Sequence, residues 1–143
     1  YPSYSLDDMS RFVATMQNYQ CMNDAMIICR FTQVGKAVTA TNVLDWYNMI
    51  TGRQVGIEEL MTVGERIFTL KRLYNTRLGI SRKDDTLPPR FLTLNRKDPE
   101  LTNQLPPIGR MVGDYYEYRQ WSEEGIPTDR KLSALNLKSI EQL

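Results

Sequence analysis

The 143-residue chain contains no histidine and only two cysteines, Cys21 and Cys29. Histidine is the commonest general acid–base residue, so its absence removes the Ser/His/Asp and HExxH arrangements of many hydrolases. The sequence also has no glycine-rich phosphate loop. Its apolar runs are far shorter than the roughly 18–20 residues of a membrane-spanning helix, and no secretory signal is visible. These absences exclude the commonest routes to hydrolytic and phosphate chemistry, and they exclude a membrane span.

The charge of the chain is almost balanced. There are 18 basic and 17 acidic side chains, which gives a formal net charge of +1, and the basic residues are spread along the sequence. Binding to nucleic acid or to an anionic membrane surface usually needs a concentrated basic patch. We therefore expect no nucleic-acid partner and no membrane partner.

Length and composition are those of one ordinary globular domain, with 41% apolar and 24% charged residues. We interpret residues 1–143 as a single helical domain. The chain starts at Tyr1 and its first helical pattern follows almost at once, so we expect a fragment of a longer protein. Two helical turns between Cys21 and Cys29 would separate them by about 12 Å, too far for a disulfide. Such thiols are typical of a reduced, cytoplasmic protein or of metal ligands.

Apolar residues recur at helical spacing along most of the chain, and no alternating strand pattern is present. The predicted class is all-α, multihelical, with a long proline-rich irregular connection from Ile80 to Gly109. The first helix is expected to run from Leu6 to Tyr19 with Ser5 as its cap, and Asn23 or Asp24 would cap a short second helix that contains Met26, Ile27 and Phe31. A third helix would run from Thr41 to its stop at Gly52, and the longest from Ile57 to Leu78, just before Gly79. A further helix would run from Arg110 to Glu123 before Gly125, and Pro127 and Thr128 would open a short final one.

Gly64 lies in the middle of the longest predicted helix. Glycine at such a position costs about 1 kcal/mol relative to alanine. Close approach of another backbone would justify it, so we expect a tight helix contact at Gly64.

Asp24 and Cys29 are the first candidates for a functional site. From spacing alone, the plainer interpretation is a helix-capping aspartate followed by a packed small cysteine, and Cys21 has the same plain interpretation. One cysteine cannot hold a cubane cluster by itself, because such a cluster takes four thiolates. The partners would have to come from elsewhere.

Charged and aromatic side chains further along the chain have mainly structural interpretations. We expect the charged groups to form a partly buried network that fixes the proline-rich loop. The aromatic residues at helical spacing near the C-terminus are more typical of a core than of a base-stacking surface. The charged set is Glu65, Arg66, Arg72, Arg77, Asp85 and Arg90, and the aromatic set is Tyr115, Tyr116, Tyr118 and Trp121.

The order of several motifs resembles one enzyme family. The segment Asp24-Ala25-Met26-Ile27-Ile28-Cys29 is similar to the Asp-x-x-Gly-Leu-Cys motif of tungsten-containing aldehyde ferredoxin oxidoreductases. The later motifs follow in the family's order across about residues 20–137. They are Gly64-Glu65-Arg66-Ile67, the run from Leu70 to Gly79, Asp85-Thr86-Leu87-Pro88-Pro89-Arg90, Tyr115-Tyr116 with Arg119-Gln120-Trp121, and Gly125-Ile126-Pro127-Thr128.

The resemblance implies the α-helical C-terminal domain of an enzyme that oxidises aldehydes to carboxylic acids. Its cofactors would be a tungstopterin (or molybdopterin) and a 4Fe–4S cluster that passes electrons to ferredoxin. If the roles of the family's motif residues apply here, Cys29 would be the fourth cluster ligand. Asp24 would accept hydrogen bonds from the ring amines of one pterin, and Ile28 would lie beside that pterin and act through its backbone. The N-terminal pterin-binding domain and the remaining ligands are absent from this sequence, so the fragment alone is expected to bind no cofactor and to be inactive.

The chain departs from the family pattern at four positions. Ile27 and Ile28 stand where the first motif has glycine and leucine, Gln120 replaces the glycine before Trp121, and Leu78 stands where an acid is common. Such departures favour a divergent relative, such as a subunit of a dearomatising reductase. The alternative from a different class is a non-enzymatic helical scaffold or interaction module. An exposed apolar surface around Ile27 to Phe31 would favour the enzyme part, and a buried, fully packed Asp24 and Cys29 would favour the module.

Overall fold

The computed structural model describes residues 6–94 and 105–140, apart from the side chains of Lys36 and Ile140. These residues form an all-α fold, as predicted, with a single isolated bridge between Trp121 and Pro127 in place of a sheet. The proposed cap Ser5 and Pro99 of the irregular connection lie outside the described residues. The helices are α1 (Met9–Ala25), α2 (Ala40–Thr51), α3 (Ile57–Arg77), α4 (Pro89–Thr93), α5 (Ile108–Arg119) and α6 (Asp129–Ala134), with 3-10 segments at Arg30–Lys36, Arg82–Asp84 and Lys138–Ile140.

Helices α1 and α3 form the centre of the fold. Gly64 of α3 lies against α1 so closely that an added Cβ would sit 2.1 Å from the carbonyl oxygen of Asn18. This confirms the expected close approach and explains why a glycine is placed inside the longest helix. Met22 packs with Leu60 in the same core. The two pairings show that α1 and α3 run in opposite directions.

Two apolar clusters attach other parts of the chain to this pair. The first joins Met22, Val43 and Leu60, and so attaches α2 to α1 and α3. The second joins Leu132, Leu135 and Leu137 of the C-terminal segment, with Leu73 of α3 packed against it. Helix α5 packs on α1 as well. Within the part of the chain that the structure describes, no helix is long and apolar enough to span a bilayer.

The predicted short helix with Asn23 or Asp24 as its cap is wrong. Helix α1 continues through both residues to Ala25, because the side chain of Asn23 is fully buried and Met22 is held in the first core. After the turn, the chain enters the 3-10 segment Arg30–Lys36 instead of an α-helix.

Several other boundaries differ from the prediction. Helix α2 is capped by Thr39 and not by Thr41, since Thr39 and Asn42 form a reciprocal capping box. Helix α5 ends at Arg119, well before Gly125. The connection after Ile80 contains α4 and a 3-10 turn, so it is less irregular than expected. Thr128 caps α6, as predicted.

Candidate functional site

Helix α1 ends in a hydrogen-bonded turn that leads directly to Cys29. The amide of Ile27 donates to the carbonyl of Asp24 at 3.1 Å, and the amide of Ile28 donates to the carbonyl of Asn23 at 2.9 Å. These two bonds are those of a Schellman motif, in which the first residue after the C-cap adopts the left-handed conformation. Ile28 also packs in the core that contains Met22, which supplies the apolar contact that often accompanies the motif. The turn therefore fixes the direction in which the chain leaves α1.

Ile27 occupies the left-handed position of this turn, with φ of 58°. Helix α3 ends in the same way, but with Gly79 at φ of 84°. A β-branched side chain is strained in this region, whereas glycine is not. The same geometry recurs at the end of α5, where Gln120 has φ of 56°. Ile27 and Gln120, which stand where the resembled motifs have glycine, thus both fall at positions whose backbone has the left-handed conformation.

Asp24 and Cys29 lie on the two sides of the turn, and both side chains are exposed. The Oδ1 atom of Asp24 accepts a hydrogen bond from Gln20 at 2.9 Å, and the structure gives the other carboxylate oxygen no partner among the described residues. The carbonyl oxygen of Cys29 accepts bonds from the amide and hydroxyl of Thr32. The thiol of Cys29 is therefore left accessible while its backbone is fixed. The other cysteine, Cys21, is buried, and burial raises the pKa of its thiol.

The residues around this turn fit a contribution to a shared cofactor site. An exposed thiol suits a cluster ligand, and a carboxylate with a free oxygen suits an acceptor for ring amines. Ile28 is half-buried, and its side chain packs against the first core. In residues 6–94 and 105–140, no three His, Cys, Asp or Glu side chains are grouped closely enough to bind a metal. Any cluster at Cys29 therefore needs ligands from elsewhere.

Three apolar side chains beside Cys29 are strongly exposed. Ile27 is 93% exposed, Phe31 is 83% exposed and Val34 is 69% exposed. Phe31 and Val34 are three residues apart in the segment Arg30–Lys36, which is kinked at Val34, where ψ is 129°. We call these three residues the apolar turn surface.

A second group of functional-looking side chains surrounds Arg72 of α3. Its guanidinium binds Asp85 with two nitrogens, at 2.7 Å and 3.1 Å, and its Nε donates to the carbonyl of Gly125 at 2.7 Å. The hydroxyl of Tyr116 donates to the same carboxylate. Burial and the hydrogen bond to Asp85 raise the pKa of Tyr116 to about 12. A Cβ at Gly125 would lie 2.1 Å from Arg72, so glycine is required there. The group attaches the start of the proline-rich connection to α3 and α5, as the sequence predicted for Arg72 and Asp85.

Among the residues that the structure describes, Arg119 of α5 is the most buried charged residue, and it was not predicted as part of a network. Its side chain is fully buried. It donates to Asn18 at 2.7 Å, to Gln17 at 2.8 Å and to the carbonyl of Ala14 at 3.2 Å, all on α1. Its Nε donates to the hydroxyl of Tyr115 at 2.9 Å. The sequence signal for this role was the spacing of Tyr115 and Arg119, which places them one turn apart on a helix.

Three of the remaining charged residues of the predicted network are Glu65, Arg66 and Arg90. Glu65 accepts a hydrogen bond from Lys131 of α6 at 2.8 Å, and Arg66 donates to the carbonyl of Leu135 at 2.8 Å. Both therefore hold the C-terminal segment on α3, rather than the proline-rich loop. Arg90 lies over the ring of Phe91, with its guanidinium carbon 4.9 Å from the ring centre.

A cavity of about 460 Å³ lies between α1, α3 and α5. Its α1 lining ends at Gln17, seven residues before Asp24, or about 10 Å of helix. It is therefore separate from the turn that carries Cys29. Its apolar lining is formed by Leu6, Met9, Val13, Phe68, Ile108, Met111, Val112 and Trp121.

Comparison with known proteins agrees with the order of the motifs. The model of the family described as aldehyde ferredoxin oxidoreductase, domains 2 and 3, matches residues 2–137. The chain belongs to this family. It is 30% identical over 135 residues to a tungsten-containing aldehyde ferredoxin oxidoreductase of Pyrococcus horikoshii, covering 94% of this chain and 22% of that protein. The corresponding enzyme of Pyrococcus furiosus is 30% identical over 132 residues, covering 92% of this chain and 22% of that protein.

A solved structure has the same fold. It is described as the active site complex BamBC of benzoyl coenzyme A reductase in complex with 1,5-dienoyl-CoA, and it superimposes with a TM-score of 0.80 at 22% sequence identity. The match covers 99% of this chain and 21% of that chain. The present chain thus spans about a fifth of the length of the proteins it matches.

Proposed function

We propose that the chain is the C-terminal part of a tungsten (or molybdenum) bis-pterin oxidoreductase that converts aldehydes to carboxylic acids. Cys29 would supply one thiolate to a 4Fe–4S cluster, which would provide the electron path to ferredoxin. Asp24 accepts hydrogen bonds from a pterin, with the backbone of Ile28 beside it. When bound, the metal–pterin centre supplies the oxidation chemistry. The other domains of the parent enzyme supply the remaining ligands and the substrate pocket.

The exposure of Asp24 and Cys29 at one helix end is the observation that supports this proposal best. A self-contained scaffold would pack these side chains, and it would not leave the apolar turn surface in water. The family membership of the chain adds independent support.

The role of this chain's own residues is to position Cys29 and to hold Asp24 in place. The Schellman turn sets the direction of Cys29, and Thr32 fixes its carbonyl with two hydrogen bonds. A ligand whose backbone is held in this way loses little entropy on binding. Asp24 remains in the last turn of α1, so its carboxylate is supported by a helix that α3 holds in place.

The test of the cluster assignment uses the full-length parent with Cys29→Ala, and Cys21→Ala as its matched control. We expect Cys29→Ala to lower iron content and to remove or alter the electron paramagnetic resonance signal of the cluster. The buried Cys21 is no ligand, so its variant keeps both. A normal cluster signal in the Cys29→Ala protein would overturn the assignment.

The pterin contact is tested separately with Asp24→Asn in the parent, and Asp45→Asn on the exposed side of α2 serves as the control. We expect reduced pterin content in the first variant only. Equal pterin content in both would remove Asp24 from the site.

The related dearomatising reductases define a second candidate reaction, and the solved structure with this fold comes from such a system. At 22% identity that likeness establishes the fold alone. Turnover of the parent with a small aldehyde and, in parallel, with an aromatic coenzyme A thioester distinguishes the two reactions. We expect activity with the aldehyde.

A further inference from the structure

The cavity between α1, α3 and α5 has the properties of a small-molecule site. Its volume of about 460 Å³ lies within the roughly 300–1,000 Å³ of ligand pockets, which are mostly apolar and carry a few polar groups. Most of its wall is apolar, and Phe68 and Trp121 lie in that wall as a stacked pair with ring centres 6.2 Å apart. None of the roles proposed for Asp24, Ile28 and Cys29 uses this cavity, so it is available for a different ligand.

Three polar side chains of the lining have no hydrogen-bond or ion-pair partner among the described residues. Lys71 and Asn75 are four residues apart on α3, which places them on the same face of the helix. Ser10 lies across from them on α1. Gly64 faces Asn18, and the helices run in opposite directions, so about 10 Å further along α3 and about 12 Å back along α1 bring Lys71 and Ser10 to nearly the same level.

The charges of the lining are paired, apart from that of Lys71. Arg72 binds Asp85 at 2.7 Å, and Asp114 lies 3.5 Å from Arg110. Among the described residues, the structure gives Lys71 no acidic partner within salt-bridge distance. An ammonium group at the side of an apolar cavity is complementary to an anionic group on an apolar body. The lining therefore favours an anionic amphiphile over a cation.

We propose that this cavity binds a small apolar carboxylate, with its carboxylate group at Ser10, Lys71 and Asn75 and its apolar body against Phe68 and Trp121. A carboxylate accepts hydrogen bonds at both oxygens, so it can use several of these donors at once. Lys71 and Asn75 are exposed, so the charge keeps part of its hydration while the apolar body leaves water. The inference does not rest on the proposed function, because it uses only the described helices.

The two tryptophans of the chain, Trp46 and Trp121, provide the readout. Trp121 lines the cavity, and its Nε1 atom has no hydrogen-bond partner among the described residues. Trp46 lies on α2, outside the lining. Phenylbutyrate is titrated into the isotope-labelled 143-residue chain, and the two indole N–H signals are followed by nuclear magnetic resonance. We expect a saturable shift of the Trp121 signal alone, and equal shifts of both signals or no shift of either would overturn the proposal.

Recognition of the charge is tested with Lys71→Met, which keeps a long unbranched side chain and removes the ammonium group. Lys138→Met is the matched control, because it makes the same change at an exposed position outside the lining. We expect Lys71→Met to weaken the binding of phenylbutyrate by about tenfold and to leave the binding of neutral phenylbutanamide unchanged. The control should bind both ligands as the wild type does. An equal loss with both ligands, or no loss, would refute recognition of the carboxylate by Lys71.

The location of the ligand is tested with Val13→Phe, which fills part of the cavity, and with Val34→Phe outside it as the control. Calorimetric titration of the full-length parent with phenylbutyrate should show binding that Val13→Phe removes and Val34→Phe leaves unchanged. If the 143-residue chain binds and the parent does not, another part of the parent fills the cavity and the proposal is wrong. A parent without iron or pterin that still binds phenylbutyrate in this way keeps the carboxylate site and loses the enzyme assignment.

Discussion

The stability of the chain in alkaline solution should depend on Tyr116. Its hydroxyl donates to Asp85, which also pairs with Arg72. Burial and the neighbouring carboxylate disfavour the phenolate, and they raise the pKa of Tyr116 from 10.0 to about 12. In the unfolded chain the same group titrates near its ordinary value. Stability from this group is therefore fully present below pH 10 and is lost as the pH rises toward about 12.

The size of this stability loss follows from the shift in the pKa of Tyr116. Each pKa unit corresponds to about 1.4 kcal/mol, and the shift of about two units gives an upper value near 2.7 kcal/mol. The side chain of Asp85 is 31% exposed, and solvent screening there reduces the effect. We expect about 2 kcal/mol of unfolding free energy to be lost between pH 10 and about 12.

Urea unfolding at a series of pH values, followed by circular dichroism, measures this loss in the wild-type chain and in Tyr116→Phe. The variant should be about 1 kcal/mol less stable at neutral pH, because it lacks the hydroxyl hydrogen bond. It should then lose less stability than the wild type in the alkaline window. Tyr118→Phe is the control, since Tyr118 is on the same helix and 46% exposed, and its curve should follow that of the wild type. Parallel curves for wild type and Tyr116→Phe would refute the reasoning.

Three further substitutions test the helix ends and the packing of the chain by scanning calorimetry. Ile27→Gly relieves left-handed strain and should stabilise the isolated chain by about 1 kcal/mol, or about 3 °C in Tm; a lower Tm would show that the turn is not strained. Gly64→Ala should destabilise by about 3 kcal/mol or more, because its Cβ would meet the carbonyl oxygen of Asn18 at 2.1 Å, and an unchanged Tm would contradict the close contact. Arg119→Lys keeps the charge but cannot make the same set of hydrogen bonds, so we expect a loss of about 2–3 kcal/mol; a loss below about 0.5 kcal/mol would mean that charge alone suffices.

Helix positions were largely predictable because the apolar periodicity is strong and glycine marks several stops. Gly52 and Gly79 both adopt the left-handed conformation that the predicted helix ends require. The continuation of α1 through Asn23 was not predictable in this way. Both Asn23 and Asp24 are good capping residues, and the choice between a cap and a helix interior is made by the burial of Asn23 and Met22 against the rest of the fold.

The conformation of the turn at Ile27 lay beyond local sequence rules. Isoleucine is among the residues least suited to φ above zero, so no propensity indicates a Schellman turn there. Gln120 presents the same difficulty. The resemblance to the family supplied the hint, because its pattern has glycine at both positions. Arg119 was missed for a different reason: a fully buried arginine is rare, and its partners on α1 are about one hundred residues away in sequence.

The hydrogen-bonded end of α1 has a consequence for the motions of the chain. Amide protons of α1 should exchange slowly with solvent, since α3 packs against this helix at Asn18 and Arg119 donates a hydrogen bond to the carbonyl of Ala14. The 3-10 segment Arg30–Lys36 has few buried side chains, and its amide protons should exchange quickly. Asp24 belongs to the slowly exchanging helix α1, and Cys29 directly precedes the rapidly exchanging segment. A group held by both residues would therefore join two regions that open independently in the isolated chain.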